Sequence, residues 1–248
     1  MNRIAVGPKG EFSLGGENFV VDVSPKGRRP SDTTAFTIAK NEPYLRFYEL
    51  LAASSFSPRS ILELGIFQGG GYVLLDKLFK PRRMSAVEIS PRPVAPLLRY
   101  VAAMEGRFVH FSTSQCDREI LTRIVRDELA DELDFVVDDA SHTYEQTKAS
   151  FELLFPLLRP GGIYIVEDWH AHRCQSPDAP LARPALSNLL FEQILLMGST
   201  LLITEIRVLR FLYLIRKAKT SLRGSEAGEK DESGSISIRS SAAAESGG

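Results

Sequence analysis

The chain has 248 residues, 44% of them hydrophobic and 25% charged, with a formal net charge of -1. These are ordinary values for one large α/β domain or two small ones, and the balanced charge gives no general case for nucleic acid. Two cysteines, Cys116 and Cys174, are too few for a disulfide framework and stand in no metal-binding spacing, so a reducing compartment is expected.

Residues 1–10 lack the apolar core of a signal peptide. Residues 201–215 are the most hydrophobic late stretch, but Glu205, Arg207 and Arg210 break them, so no membrane span is expected. The expected location is cytoplasmic. Residues 1–40 are rich in Gly, Pro, Ser and basic residues, and only the alternation at Phe19, Val20, Val21, Asp22 and Val23 predicts a short strand. This part is expected to be an arm or lid against the main domain or a neighbouring subunit, with a disordered leader as the alternative. From Glu42 the residues Tyr44, Leu45, Phe47, Tyr48, Leu50 and Leu51 make one helix face, with Pro43 in the first turn.

The next stretch organises the rest. Ile61, Leu62 and Leu64 form an apolar run carrying one acid, Glu63, and ending in Gly65; Gly69, Gly70 and Gly71 follow. A helical pattern then starts with Tyr72, Val73, Leu75, Leu78 and Phe79. That is a strand, a tight turn and a helix, with glycine where the backbone needs positive φ or lets a ligand approach. Phe67 stands where a dinucleotide G-x-G-x-x-G loop has its second glycine. The loop instead reads E-L-G-x-x-x-G-G, which resembles motif I of class I S-adenosylmethionine (SAM) dependent methyltransferases.

The second strand, residues 84–89, carries Glu88, 23 residues after Gly65. An acid there can accept two hydrogen bonds from ribose hydroxyls; the alternative is a solvated strand end. A helix over 94–104 and a strand over 107–111 follow, in which His110 reads as a packing residue. The polar turn 112–117 sits where methyltransferases of this class contact adenine, which makes Gln115 and Asp117 candidates. Asp117 equally suits the N-cap of the next helix.

Two further strands each end in paired acids: residues 133–139 in Asp138 and Asp139, residues 163–168 in Glu167 and Asp168. The first pair is followed by Ser141 and His142, the second by Trp169 and His170. Residues 171–184 read as a loop, 186–197 as a helix, and 201–217 as a hairpin resembling the last two strands of the class I methyltransferase sheet. The basic excess from Arg207 to Arg223 reads as a solvated face. From about 220 the composition cannot bury enough apolar surface to fold, so a disordered tail is expected. The division is thus an arm over 1–40, a domain over 41–218 and a tail over 219–248.

Ligands of open parallel sheets bind at the carboxyl ends of the strands. Gly65, Glu88, Asp138, Asp139, Glu167 and Asp168 should converge there. Five carboxylates in one pocket repel one another unless something positive sits among them, and a divalent cation with hard oxygen ligands, Mg²⁺ or Ca²⁺, would serve. The alternative is that one acid of each pair caps a helix or faces water. The run from Asp138 to His142, with that from Gly161 to Asp168, resembles the metal-dependent O-methyltransferases of macrolide deoxysugars. The related group labelled cephalosporin hydroxylase or rhamnosyl O-methyltransferase shares these motifs, and the similarity spans roughly residues 40–217.

The resemblance implies a seven-stranded, mostly parallel Rossmann-like sheet with helices on both faces. It implies that Asp139, Glu167 and Asp168 bind Mg²⁺, that His142 is the general base, and that Glu63, Gly65, Gly69, Glu88 and Asp117 belong to the SAM site. The expected reaction is methyl transfer to a hydroxyl of a sugar or other small natural product. A cation stabilises the alkoxide of such a hydroxyl and a histidine of pKa near ~6.5 can take its proton. The loop 171–184 matches nothing in the family and is expected to shape the acceptor site. There are three rivals: an NAD-dependent dehydrogenase, against which Phe67 speaks; a SAM-fold binding protein without turnover; and a nucleic-acid methyltransferase, against which the balanced charge and the lack of an N/D-P-P-Y/W-type motif speak. The acceptor is expected to be a small molecule, and the arm could serve a homo-oligomer.

Overall fold

In the computed structural model, residues 4–24, 29–170 and 184–219 are described. The expected tail, most of the loop 171–184 and Cys174 lie outside them.

The apolar run beginning at Ile61 becomes β4 (Ser60–Leu64), buried along its whole length, and the glycines open α2 (Gly70–Phe79). The chain then runs outward through β5 (Arg83–Glu88), α3 (Ala95–Ala102) and β6 (Arg107–Phe111). It returns by α4 (Arg118–Arg123), which loosens into a π-helical turn at Ile124–Glu128. After this come β7 (Phe135–Asp138), α5 (Tyr144–Leu157), β8 (Ile163–Glu167), α6 (Ser187–Ser199), β9 (Ile203–Val208) and β10 (Leu212–Lys217). The seven strands lie in the order β6-β5-β4-β7-β8-β10-β9. All neighbours are parallel except β10, which is antiparallel to both β8 and β9. This is the expected seven-stranded, mostly parallel sheet.

Strands β4, β7 and β8 are buried on both faces, as parallel strands between two helix layers must be. Successive side chains feed opposite cores. Ile61, Phe135 and Val137 pack with α2, while Leu62, Leu64, Val136 and Tyr164 pack with α5 and α6. The order reverses between β4 and β7, and that reversal opens a crevice at the carboxyl ends of these strands.

Before β4 stands more structure than the single strand expected. A second sheet holds β1 (Glu11–Leu14), β2 (Glu17–Val21) and β3 (Phe36–Ile38), with β1 and β2 antiparallel and β3 parallel to β2. Phe12 stacks on Phe19 at 4.8 Å, and Phe36 meets the edge of Tyr100 from α3 at 5.9 Å, so this sheet shares the core of the main domain. Its last strand leads through Lys40 into α1 (Glu42–Ala52). A Cβ on Gly70 would overlap the carbonyl of Thr37, so β3 passes over the start of α2 at a distance only glycine permits. Among the described residues no helix is long and apolar enough to cross a membrane.

Candidate active site

Gly65 ends β4 at φ +93°, and a Cβ there would overlap the carbonyl of Asp139 at the end of β7. Gly69, at φ +81°, is the N-cap of α2. The turn between them is held from β5: Glu88 accepts the N–H of Ile66 (3.0 Å) and of Phe67 (2.9 Å) on one oxygen and that of Ser90 (2.8 Å) on the other. Glu88 is therefore first a clamp on the glycine loop, and it lines the cavity beside it.

That cavity, of about 810 Å³, lies over the carboxyl ends of β4, β5, β7 and β8. Glu63, Gly65, Glu88, Asp139, Glu167 and Asp168 all line it, as does His142. Two candidates stand apart. Gly69 does not line it. Asp117 accepts the N–H of Ile120 at 2.9 Å and so caps α4, and the polar turn presents Thr113, Ser114 and Gln115 to the cavity in its place. A carboxylate at an N-cap satisfies an orphan helix donor.

The sequence called for a positive charge among the acids, and the fold supplies one that the motifs did not name. Lys40, its side chain 4% exposed, donates to Asp139 Oδ2 at 2.6 Å and to Glu167 Oε2 at 2.5 Å. Burial alone would depress its pKa, but the charges of Asp139 and Glu167 reverse that and hold the ammonium protonated well above the ordinary lysine range. Tyr48 also donates to Glu167. Burial, reinforced by Asp139, raises the Glu167 pKa to about 7 in spite of Lys40. Glu63 is pushed well above the carboxylate range by the same burial, with Lys40 opposing. Its Oε2 is buried without a hydrogen-bond partner among the described residues.

The acids expected to form one metal set divide in two. Asp139, His142 and Asp168 bring ligand atoms within 4.8 Å of one another, the spacing of a cation site. Glu167 is turned away to Lys40 and Tyr48. His142 Nε2 stands 3.8 Å from Asp139 Oδ1, too far for a hydrogen bond. His142 (φ +54°) and Asp168 (φ +48°) both hold left-handed backbone that non-glycine residues avoid. Such strain collects at functional sites and persists only where neighbours fix it. Tyr44 from α1 donates to Asp168, whose own N–H is fixed by the Phe211 carbonyl at 2.7 Å.

Sheet order, glycine turn and cavity define a class I methyltransferase fold. Residues 62–169 match the family described as a methyltransferase domain. Over 120 residues the chain is 34% identical to mycinamicin VI 2''-O-methyltransferase of Micromonospora griseorubida, covering 45% of this chain and 28% of that enzyme. Over 123 residues it is 31% identical to the 8-demethyl-8-(2-methoxy-alpha-L-rhamnosyl)-tetracenomycin-C 3'-O-methyltransferase of Streptomyces olivaceus, covering 46% and 29%. The chain thus spans under a third of either curated relative. Among solved structures, the methyltransferase MycE from the mycinamycin biosynthetic pathway, in complex with Mg, SAH and mycinamycin VI, aligns with a TM-score of 0.52. That alignment has 23% identity and covers 75% of this chain and 51% of that one. At that identity the likeness speaks for the fold.

Proposed function

We propose that this chain is a SAM-dependent O-methyltransferase that uses Mg²⁺ and acts on a hydroxyl of a sugar or other small natural product. The observation that carries the reading is the convergence of Asp139, His142 and Asp168 in a cavity that Glu63, with one buried oxygen unpartnered among the described residues, also lines. The two curated relatives, both O-methyltransferases by name and one of them of a rhamnosyl compound, support the same class.

The residues fit the groups the reading requires. Two carboxylates and one imidazole suit a hard divalent cation, for which Asp139 and Asp168 are the oxygen ligands. Glu63 offers a buried acceptor to an ammonium such as the amino group of SAM. Glu88 keeps acceptor capacity for ribose hydroxyls while bonding the loop. Bound SAM supplies an activated methyl group, and a bound cation lowers the pKa of the acceptor hydroxyl.

What the chain itself does is orient and take a proton. In this reading His142, within 4 Å of Asp139 yet not bonded to it, accepts the hydroxyl proton at Nε2. Lys40 fixes Asp139 by one oxygen and leaves the other directed at His142.

The test is calorimetric titration with S-adenosylhomocysteine and Mg²⁺, then transfer of labelled methyl from SAM to a panel of rhamnosides and macrolide glycosides. Binding of both, with label in the glycoside hydroxyl, is expected. Failure to bind S-adenosylhomocysteine sinks the reading. Binding without any metal signal would leave a methyltransferase whose acids serve Lys40 alone.

A further inference from the structure

Besides Lys40 at Asp139, the loop that carries Asp139 and His142 is held at Ser141 by the side chain of Gln115. Its Oε1 accepts the N–H of Ser141 at 3.0 Å. Its Nε2 donates to both carboxylate oxygens of Asp138, at 3.1 and 3.3 Å, and to Ser150 Oγ at 3.2 Å. Only one orientation of the amide satisfies this set, because the reverse would set an oxygen against the Asp138 carboxylate. Asp138 is itself fixed, accepting from Ser150 Oγ (2.7 Å) and from the Tyr164 hydroxyl (2.9 Å) in the core between β8 and α5. Asp138 is 2% exposed and does not line the cavity; Gln115 is 6% exposed and does.

We infer that Gln115 is a positioning residue for the loop bearing Asp139 and His142, oriented by Asp138, and that its amide is not a contact for the bound cofactor. Both N–H bonds of the amide are already committed to Asp138 and Ser150. The loop needs such a hold. Asp139 is tied to β4 through the Leu64 carbonyl (2.9 Å), and the Thr143 carbonyl accepts the Thr147 N–H (3.0 Å) as α5 begins. Between these anchors His142 sits at φ +54°, a conformation its neighbours must over-determine. The Ser141 N–H is one residue from that strain, and Gln115 is its acceptor. Asp138, the other acid of the first pair, thus acts by aiming the amide.

This assignment rests on the cation site proposed above, and the experiment separates the two. Mn²⁺ binding is followed by electron paramagnetic resonance and S-adenosylhomocysteine binding by calorimetry, on the whole chain and on Gln115→Met. With the loop loosened, Mn²⁺ affinity is expected to fall about tenfold, the scale of one lost hydrogen bond, while S-adenosylhomocysteine affinity changes by less than about twofold. A fall in S-adenosylhomocysteine affinity with Mn²⁺ unchanged would make Gln115 a cofactor contact and overturn the inference. Equal losses of both, with a lowered melting temperature, would reduce it to a general structural role.

The exchange Asp138→Asn with Gln115→Glu gives a second readout if the first variant folds poorly. The pair keeps one carboxylate, keeps an acceptor for Ser141 and reverses the bond between the two side chains. It is expected to restore Mn²⁺ affinity to within about threefold of the wild type while each single change lowers it by about tenfold. No recovery in the pair counts against the inference. A wild type that binds S-adenosylhomocysteine but no Mn²⁺ removes the cation site and this assignment with it, whereas loss confined to the variants leaves that site standing.

Discussion

Lys40 Nζ stands 2.6 Å from Asp139 Oδ2 and within bonding distance of Glu167, so one ammonium from the segment after β3 joins the ends of β7 and β8. The consequence is energetic before it is catalytic. Removing one partner of a buried ion pair leaves the other as an unpaired buried charge, which costs more than the pair contributed. Lys40→Met is therefore expected to lower the unfolding free energy by about 3 kcal/mol, the low end of the usual range because Asp139 is partly exposed. Urea unfolding measures it. Lys40→Met with Glu167→Gln should recover at least half of that loss, and no recovery would mean that Glu167 is not the stranded charge.

Glu63 carries the prediction for the cofactor. Glu63 lines the cavity, and its buried Oε2 has no hydrogen-bond partner among the described residues, so a cation or N–H donor on a ligand would complete it. Glu63→Gln is expected to weaken S-adenosylhomocysteine by about 10- to 100-fold, the range for a hydrogen bond to a charged group. Methylthioadenosine, which has no amino acid moiety, should bind the variant and the wild type alike. Equal weakening of both ligands would move Glu63 out of contact with the amino group and make its role structural.

The N-terminal sheet invites a test by volume. At Gly70 a methyl group would meet the Thr37 carbonyl of β3. Ser31 reinforces the same junction, its backbone N–H donating to Gln68 Oε1 at 3.0 Å and its hydroxyl to the Gln68 carbonyl at 2.6 Å. Gly70→Ala is expected to cost about 1–3 kcal/mol, the scale of overpacking, and to raise amide exchange in β3 above that in β4. Exchange that rises in β4 alone would show that the sheet does not lean on α2.

The main sheet could be read from the chain because long apolar runs punctuated by glycine and proline leave few topologies. Even the acid at the end of β5 and the carboxyl edge followed from that frame. The N-terminal sheet was hidden, since its strands are four, five and three residues long and glycine separates the first two. Nothing in the sequence marks Lys40 among 30 lysines and arginines; only the three-dimensional approach of β3 to β8 selects it. Glu167 and Asp168, expected together as metal ligands, line the same cavity but bond different partners. Consecutive strand residues point to opposite faces, so two adjacent acids do not share a target unless the backbone turns between them. Here both acids meet α1, Glu167 through Tyr48 and Asp168 through Tyr44, but Asp168, turned at φ +48°, also lies beside Asp139 and His142 while Glu167 is taken by Lys40.

His142 stands close enough to the carboxylates to be a ligand and free enough to be a base, and one substitution separates the roles. Asparagine tolerates left-handed backbone, so His142→Asn removes the imidazole without forcing the loop at φ +54° to rearrange. Loss of a general base costs about 10²- to 10⁴-fold in turnover. With a glycoside acceptor in hand, kcat of His142→Asn should fall by that much while Mn²⁺ affinity stays within about threefold of wild type, since Asp139 and Asp168 remain as oxygen ligands. A parallel fall in Mn²⁺ affinity would make the imidazole a third ligand and send the search for a base elsewhere.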